Sequence, residues 1–195
     1  AMATGAGLII LNSKGENFII LDMGANNLMD AAFVDGAEAQ IARSKIVMAV
    51  LEIPVAAAQR AMELGKQHGV ITILNPAPAT PLPEALLRTV DYLTPNESEL
   101  RILLGLPPDD PTPTPALAAR LRGMGVQTVV VTMGEHGALI LNDARETHVP
   151  AIRVDVVDTT GAGDAFNSAF AVALAEGRPL LEAVQYGCCG GALAC

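Results

Sequence analysis

Residues 46–75 read IVMAVLEIPVAAAQRAMELGKQHGVITILN, and how this stretch folds decides the architecture of the rest. Its two ends, IVMAVLE and VITILN, are continuous apolar runs of strand length. The middle, PVAAAQRAMELGKQHG, carries a helical pattern. Pro54 suits the first turn, where no amide is needed, and Gly69 follows the last one. A continuous apolar strand, unlike an alternating one, has both faces covered. Strand, helix and strand in this order therefore predict a parallel pair with a covering helix.

The same alternation extends in both directions. Upstream, LIILN and FIIL flank SKGE and predict a hairpin within residues 4–21. AEAQIARSK then reads as a helix. Downstream, VITILN is closed by the breaker-rich PAPATPLP, and a short helix around 83–88 precedes the strand DYLTP. A helix is expected over 97–104, a loop over 107–115 (PPDDPTPTP, five prolines in nine residues) and a helix over 115–124. TVVVTM and ALILN are strands on either side of the turn GEHG. THVP and RVDVVDT then lead to DTTGAGDAF, and helices over about 162–176 and 179–194 follow. The expectation is one α/β domain over 1–195, a mostly parallel sheet with helices on both faces.

Composition excludes several classes. With 51% hydrophobic and 17% charged residues in 195, the chain is globular. A net charge of −9, with 12 Lys and Arg in no long run, argues against a nucleic-acid surface. No apolar run reaches the length of a membrane span. The start AMATGAG lacks a basic region followed by an apolar one, so no secretory signal is expected and the cytoplasm is the expected location. Cys188, Cys189 and Cys195 lack C-x-x-C spacing, and we read them as small buried residues of a packed helix. His68, His136 and His148 have no ligand spacing.

In sheets of this kind ligands sit outside the carboxyl ends of the strands. The loops there carry Glu52, NPAPA, TPNESE, MGEHG and DTTGAGD. In VDTTGAGDAF (157–166), the amides of Ala162, Gly163 and Asp164 are among the first, unpaired N–H groups of a helix. With the helix dipole they favour a phosphoryl group or an oxyanion. Gly161 and Gly163 let backbone approach a ligand. Asp164, held ionised by the same dipole, could accept a proton from an attacking hydroxyl. A favourable acid in a first turn would account for Asp164 equally well. No Gly-Lys-Ser/Thr follows, so this is not a Walker A loop. Phe166 replaces the third glycine of a Rossmann fingerprint. Asn96 and Glu99 have capping-box spacing, GEHG could be only a hairpin turn, and Glu52 only a solvated acid.

DTTGAGDAFNSAFAVAL resembles the C-terminal signature of the ribokinase family of sugar kinases, the PfkB carbohydrate kinases. ATGAGLIILNSKGENFIIL with GANN, LEIP, ILNPAPA, LTPNESE and VVVTMGEHGALIL resemble further segments of that family in the same order, over essentially the whole chain. NPAPA and GANN are more similar to the ribokinase branch than to the fructokinase or adenosine kinase branches.

The resemblance implies a three-layer α/β/α ribokinase-like fold, with remnant lid strands in the N-terminal hairpin. It implies an ATP-dependent kinase converting D-ribose to ribose 5-phosphate, with another PfkB sugar or nucleoside kinase as the alternative. Asp164 matches the catalytic base, and Gly161, Ala162 and Gly163 match the anion hole around the γ-phosphoryl group. Asp158 and Thr160 match ligands of a monovalent cation, usually K⁺. Thr132, Met133, Gly134, Glu135, His136 and Gly137 match the nucleotide-binding segment. Asn96 matches a contact to ATP phosphate, and Glu99 matches a residue that organises Mg²⁺ and phosphate indirectly. Glu52 matches a residue that hydrogen-bonds the sugar. Family members of full length are expected to be homodimers.

Family members are also longer. By the resemblance, this chain begins after most of their N-terminal half, without the first sheet strands, most of the lid and the Gly-Gly-Lys-Gly-Asn sugar segment. It stops at Cys195, before the adenine-pocket loop, the remaining potassium ligands and the last helix. A chain acting in this form is expected to hold sugar poorly, and a non-catalytic nucleotide-binding or structural remnant stands as the other reading.

Overall fold

The computed structural model describes residues 2–11, 17–143 and 145–195, so the expected SKGE turn lies outside the described residues. The expected hairpin strands are β1 (Ala6–Leu11) and β2 (Asn17–Asp22), an antiparallel pair forming a sheet of their own. Short helices α1 (Ala31–Asp35) and α2 (Glu38–Ile41) lead to the main sheet. The sequence pattern predicted one helix over AEAQIARSK; the structure shortens it to α2 and adds α1. That extra helix starts where the Asp30 carboxylate accepts a bond from the Phe33 amide at 2.8 Å, an N-cap with no apolar stripe behind it.

The stretch quoted first folds as read, into β3 (Ile46–Val50), α3 (Val55–Gln67) and β4 (Ile71–Asn75). Pro54 is the N-cap of α3, and Gly69 turns the chain with a φ of +68°. Strands β3 and β4 are parallel, with Ile46 opposite Ile71 and Val50 opposite Asn75. Helix α3 lies close on this pair, because a Cβ at Gly65 would stand 2.6 Å from side-chain atoms of both Thr72 and Val47. There follow α4 (Glu84–Leu87), β5 (Tyr92–Leu93), α5 (Glu97–Leu103) and α6 (Thr114–Gly123). The sheet is completed by β6 (Thr128–Thr132), β7 (Ala138–Leu141) and β8 (Glu146–Val149), and the chain by α7 (Ala162–Ala175) and α8 (Leu180–Leu193).

The strand order is β3-β4-β5-β6-β7-β8, parallel from β3 through β6 and antiparallel from β6 to β8. Side chains of β6 show how the layers divide. Val129 and Val131 join Leu74 and Leu93 in a core under α3 and α6, while Val130 joins Ile73 and Ile140 under α7 and α8. That alternation is the period of a strand, and it gives three layers, helix over sheet over helix. Phe170 anchors the second core, edge-on to Tyr92 at 5.4 Å and stacked on Phe166 at 6.1 Å. Burying such a ring stabilises the fold by about 3 kcal/mol.

Two expectations need correction. The proline-rich loop ends sooner than 107–115, because α6 already begins at Thr114 and Pro115 sits in its first turn, where a missing amide costs nothing. The cysteines are not buried: Cys189 is exposed, and Cys188 and Cys195 are half-buried. Gly187, Gly190 and Gly191, at helical spacing, are the residues of that run that face α7. A Cβ at Gly187 would stand 2.7 Å from the Phe166 ring, and one at Gly190 2.7 Å from the Ala165 carbonyl. The tight packing is present, but glycine provides it and the thiols sit beside it.

Candidate active site

The loops expected to carry chemistry lie at one edge of the sheet because three of its strand pairs run parallel. Beyond β5 the chain continues in extended form through Thr94 and Pro95 to Asn96. Asn96 bridges Thr132 in parallel register, and the Thr132 amide donates to the Pro95 carbonyl at 2.9 Å. This brings the 96–99 and 132–137 segments side by side, although the sequence separates them by more than thirty residues.

Asn96 and Glu99 form a complete capping box at the start of α5. The Glu99 amide donates to Asn96 Oδ1, and the Asn96 amide donates to Glu99 Oε2, both at 2.8 Å. The capping explanation thus holds for both side chains. It is compatible with an anion site, since the same first turn presents amides and the positive end of a dipole. Burial pushes the Glu99 carboxyl above its ordinary range, and the bond from the Asn96 amide only partly opposes this.

Thr132 ends β6, and Met133, Gly134, Glu135, His136 and Gly137 make the tight turn into β7. The Met133 amide donates to the Gly137 carbonyl at 2.8 Å, and the Gly137 amide to the Gly134 carbonyl at 2.9 Å. The hairpin reading of GEHG therefore holds as well. Gly137 is obligatory here, with a φ of +87° and only 2.0 Å between a built Cβ and the Val149 carbonyl oxygen. Glu135 and His136 are exposed, and the His136 carbonyl lies 2.7 Å from His148 Nε2.

The chain between Val149 and Gly161 has no regular element until α7 starts. Gly161 is the N-cap of α7 in the left-handed conformation, with a φ of +80° and no side chain capping the helix. Ala162, Gly163 and Asp164 form the first turn, and Asp164 is exposed. A Cβ at Gly161 or Gly163 would meet nothing within 4 Å, so the surface over this turn is open. Asp158 accepts from the Thr160 amide at 2.8 Å and from the Thr160 hydroxyl, which holds its carboxyl below the usual range. The amides of Val157 and Asp158 both donate to the Cys195 carbonyl, at 2.8 and 3.2 Å, and this fastens the segment to the end of α8.

Sequence reasoning missed the polar link between this helix start and the sheet. Asn167 donates from Nδ2 to the Gly163 carbonyl at 2.9 Å and accepts from the Thr94 hydroxyl at 2.7 Å. Asn75 donates to the Thr94 carbonyl at 2.9 Å. One signal was available: Asn167 is a lone amide in the apolar stripe that contains Phe166, Phe170 and Leu174.

Glu52 stands apart from this group. It is half-buried after β3 and lines a cleft of about 80 Å³ with Gly5, Gly7, Asp22 and Asn26, between the sheet edge and the hairpin. A larger cleft of about 260 Å³, lined by Glu97, Arg101 and Asp110, lies over α5 and collects none of the residues expected to act. Among the described residues no three His, Cys, Asp or Glu side chains cluster to hold a metal ion. Among the described residues no helix is long and apolar enough to cross a membrane.

The profile of the pfkB family carbohydrate kinases matches residues 2–195. The chain is 36% identical over 184 residues to a ribokinase of Haemophilus influenzae, covering 94% of this chain and 60% of that protein. It is 39% identical over 170 residues to a deoxyribokinase of Salmonella typhimurium, covering 87% and 56%. Among solved structures, the Arabidopsis thaliana ribokinase complexed with ribose and ATP superposes with a TM-score of 0.88 at 33% identity, covering 98% of this chain and 63% of that one. The chain thus spans about 60% of the length of the curated ribokinase it matches. The family match over nearly the whole chain and the superposition on a solved ribokinase point the same way, and the chain belongs to the pfkB family of carbohydrate kinases.

Proposed function

We propose that the protein transfers the γ-phosphoryl group of ATP to the primary hydroxyl of D-ribose, giving ribose 5-phosphate. The observation that carries this reading is the start of α7, where an exposed carboxylate and open first-turn amides share one helical turn. Asp164 takes the hydroxyl proton as the oxygen attacks. The amides of Ala162 and Gly163, with Gly161 shaping the turn, stabilise charge on the transferring group. Asn96 and the 132–137 turn hold the nucleotide beside them, and Glu52 faces the sugar from the cleft under the hairpin.

The donors suit hard cations that phosphate helps to bind. Asp158 is kept ionised by Thr160 and offers oxygen ligands for K⁺ together with it. Glu99 has one oxygen committed to the Asn96 amide, and its other oxygen would order Mg²⁺ through water or phosphate. When bound, these cations neutralise charge on the phosphates. Action in the cytoplasm, and the homodimeric assembly expected of full-length family members, belong to the same proposal. A second reading, 2-deoxy-D-ribose as acceptor, is favoured by the similarity to a deoxyribokinase.

ADP release by the natural protein that carries this chain tests the proposal, with ATP, Mg²⁺, K⁺ and a panel of D-ribose, 2-deoxy-D-ribose, fructose and adenosine. Asp164→Asn keeps the shape and removes the base, so turnover falls by about 10²–10⁴ with ATP affinity little changed. Silence with every acceptor, or a variant within about twofold of the parent in turnover, would refute it.

A further inference from the structure

Two buried polar side chains link the α7 start to the sheet without touching the reacting groups. Thr94 is 2% exposed and Asn167 4% exposed. A carboxamide in an apolar helix stripe is costly unless both of its ends are bonded, and here both are. Asn167 Nδ2 faces the Gly163 carbonyl, which only a donor can satisfy, so Oδ1 must face Thr94 and the threonine hydroxyl must donate. Its single proton goes to Asn167 at 2.7 Å and not to the Leu74 carbonyl, 3.4 Å away.

The pair joins two parts of the site that nothing in local sequence relates. Gly163 lies in the first turn of α7, one residue before Asp164. Thr94 lies two residues before Asn96, and its backbone is held on both sides, by its own amide on the Leu74 carbonyl at 3.0 Å and by Asn75 on its carbonyl. We infer that Thr94 and Asn167 are a positioning pair for phosphoryl transfer, holding the α7 first turn at a fixed place relative to the 96–99 loop. This rests on the kinase reading above. A displacement on the order of 1 Å between donor and acceptor loops is enough to slow transfer severely.

Thr94→Val removes the hydroxyl at nearly constant volume, Thr94→Ser keeps it, and Asn167→Asp sets a carboxylate oxygen against the Gly163 carbonyl. Two readouts are taken in the natural protein: amide exchange at Ala165 and the next amides of α7 relative to those of β6, and kcat with KM for ATP. In Thr94→Val, exchange at the α7 start rises about tenfold relative to β6. There kcat falls about tenfold or more, while KM for ATP stays within about twofold. Asn167→Asp follows Thr94→Val, and Thr94→Ser behaves as the parent. Unchanged relative exchange in Thr94→Val, or an equal loss in Thr94→Val and Thr94→Ser, would overturn the inference. If the parent turns over no acceptor, the kinase reading fails and the exchange data still decide whether the pair holds the helix start. If Asn167→Asp does not fold, the two threonine variants carry the test.

Discussion

Replacing Gly190 by alanine measures how closely α8 lies on the first turns of α7. The added Cβ would stand 2.7 Å from the Ala165 carbonyl oxygen and 2.8 Å from Ala169 Cβ. Ordinary contact begins at 3.4 Å, so the two helices must part by about 0.7 Å or bend. Neither obstacle is the free end of a flexible side chain. Overpacking of this kind costs about 1–3 kcal/mol, and the better helix propensity of alanine returns about 1 kcal/mol. The net loss is about 1 kcal/mol, which lowers Tm by about 2–4 °C in a chain of this size. Gly123, in the last turn of α6, is the control, because a Cβ there meets nothing within 4 Å. The same substitution keeps only the entropic gain there and stabilises by about 0.5 kcal/mol. Thermal melts of the two variants beside the parent should therefore move in opposite directions. Turnover should fall only for Gly190→Ala, since Ala165 adjoins Asp164. A Gly190→Ala protein that melts above the parent would refute the close packing of α7 and α8.

Asn96→Ala removes the N-cap and costs about 1 kcal/mol, whereas Asn96→Ser keeps a capping oxygen and stays within a few tenths. Calorimetric titration with ATP should show weakened binding in both variants, and undiminished affinity in Asn96→Ser would remove Asn96 from the nucleotide site. Glu99 gives a pH prediction of unusual sign. Its folded carboxyl titrates above the ordinary glutamate value of 4.5, so the folded state takes up a proton just above that pH, and ionisation there costs stability. Glu99→Gln keeps an acceptor for the Asn96 amide without that cost. Its stability relative to the parent should rise between about pH 4 and pH 7, read from urea midpoints at both, and a relative fall would refute the burial argument.

Local patterns carried most of the fold. Pro54, a helical repeat and Gly69 delimit α3 within a residue or two. Continuous apolar runs locate β3, β4 and β6, because burial on two faces demands them. Elements without such a pattern escaped. Helix α1 is five residues held by one cap, and the start of α6 hides behind prolines that a first turn tolerates. In GCCGG the eye goes to the cysteines, but contact with α7 selects the glycines, and only the facing helix decides which side of α8 is inside.

The candidate site divides along the same line. Capping between Asn96 and Glu99 spans three residues, and the left-handed Gly161 opens a helix whose first turn is spelled out in order, so both could be read from the chain alone. By itself the sequence determined most of the strands and helices, the family resemblance and a helix start whose first-turn amides suit phosphate. It left the helix cap and the anion site as equal explanations, because both use the same first-turn amides. Tertiary structure alone decided that Asn96 lies against Thr132, that Glu52 faces the hairpin cleft, and that Asn167 reaches Thr94 across 73 positions of sequence. The physical reason is that periodicity and caps act over one or two turns of chain. Strand order and hydrogen bonds between remote segments arise only when the whole sheet closes on its two cores.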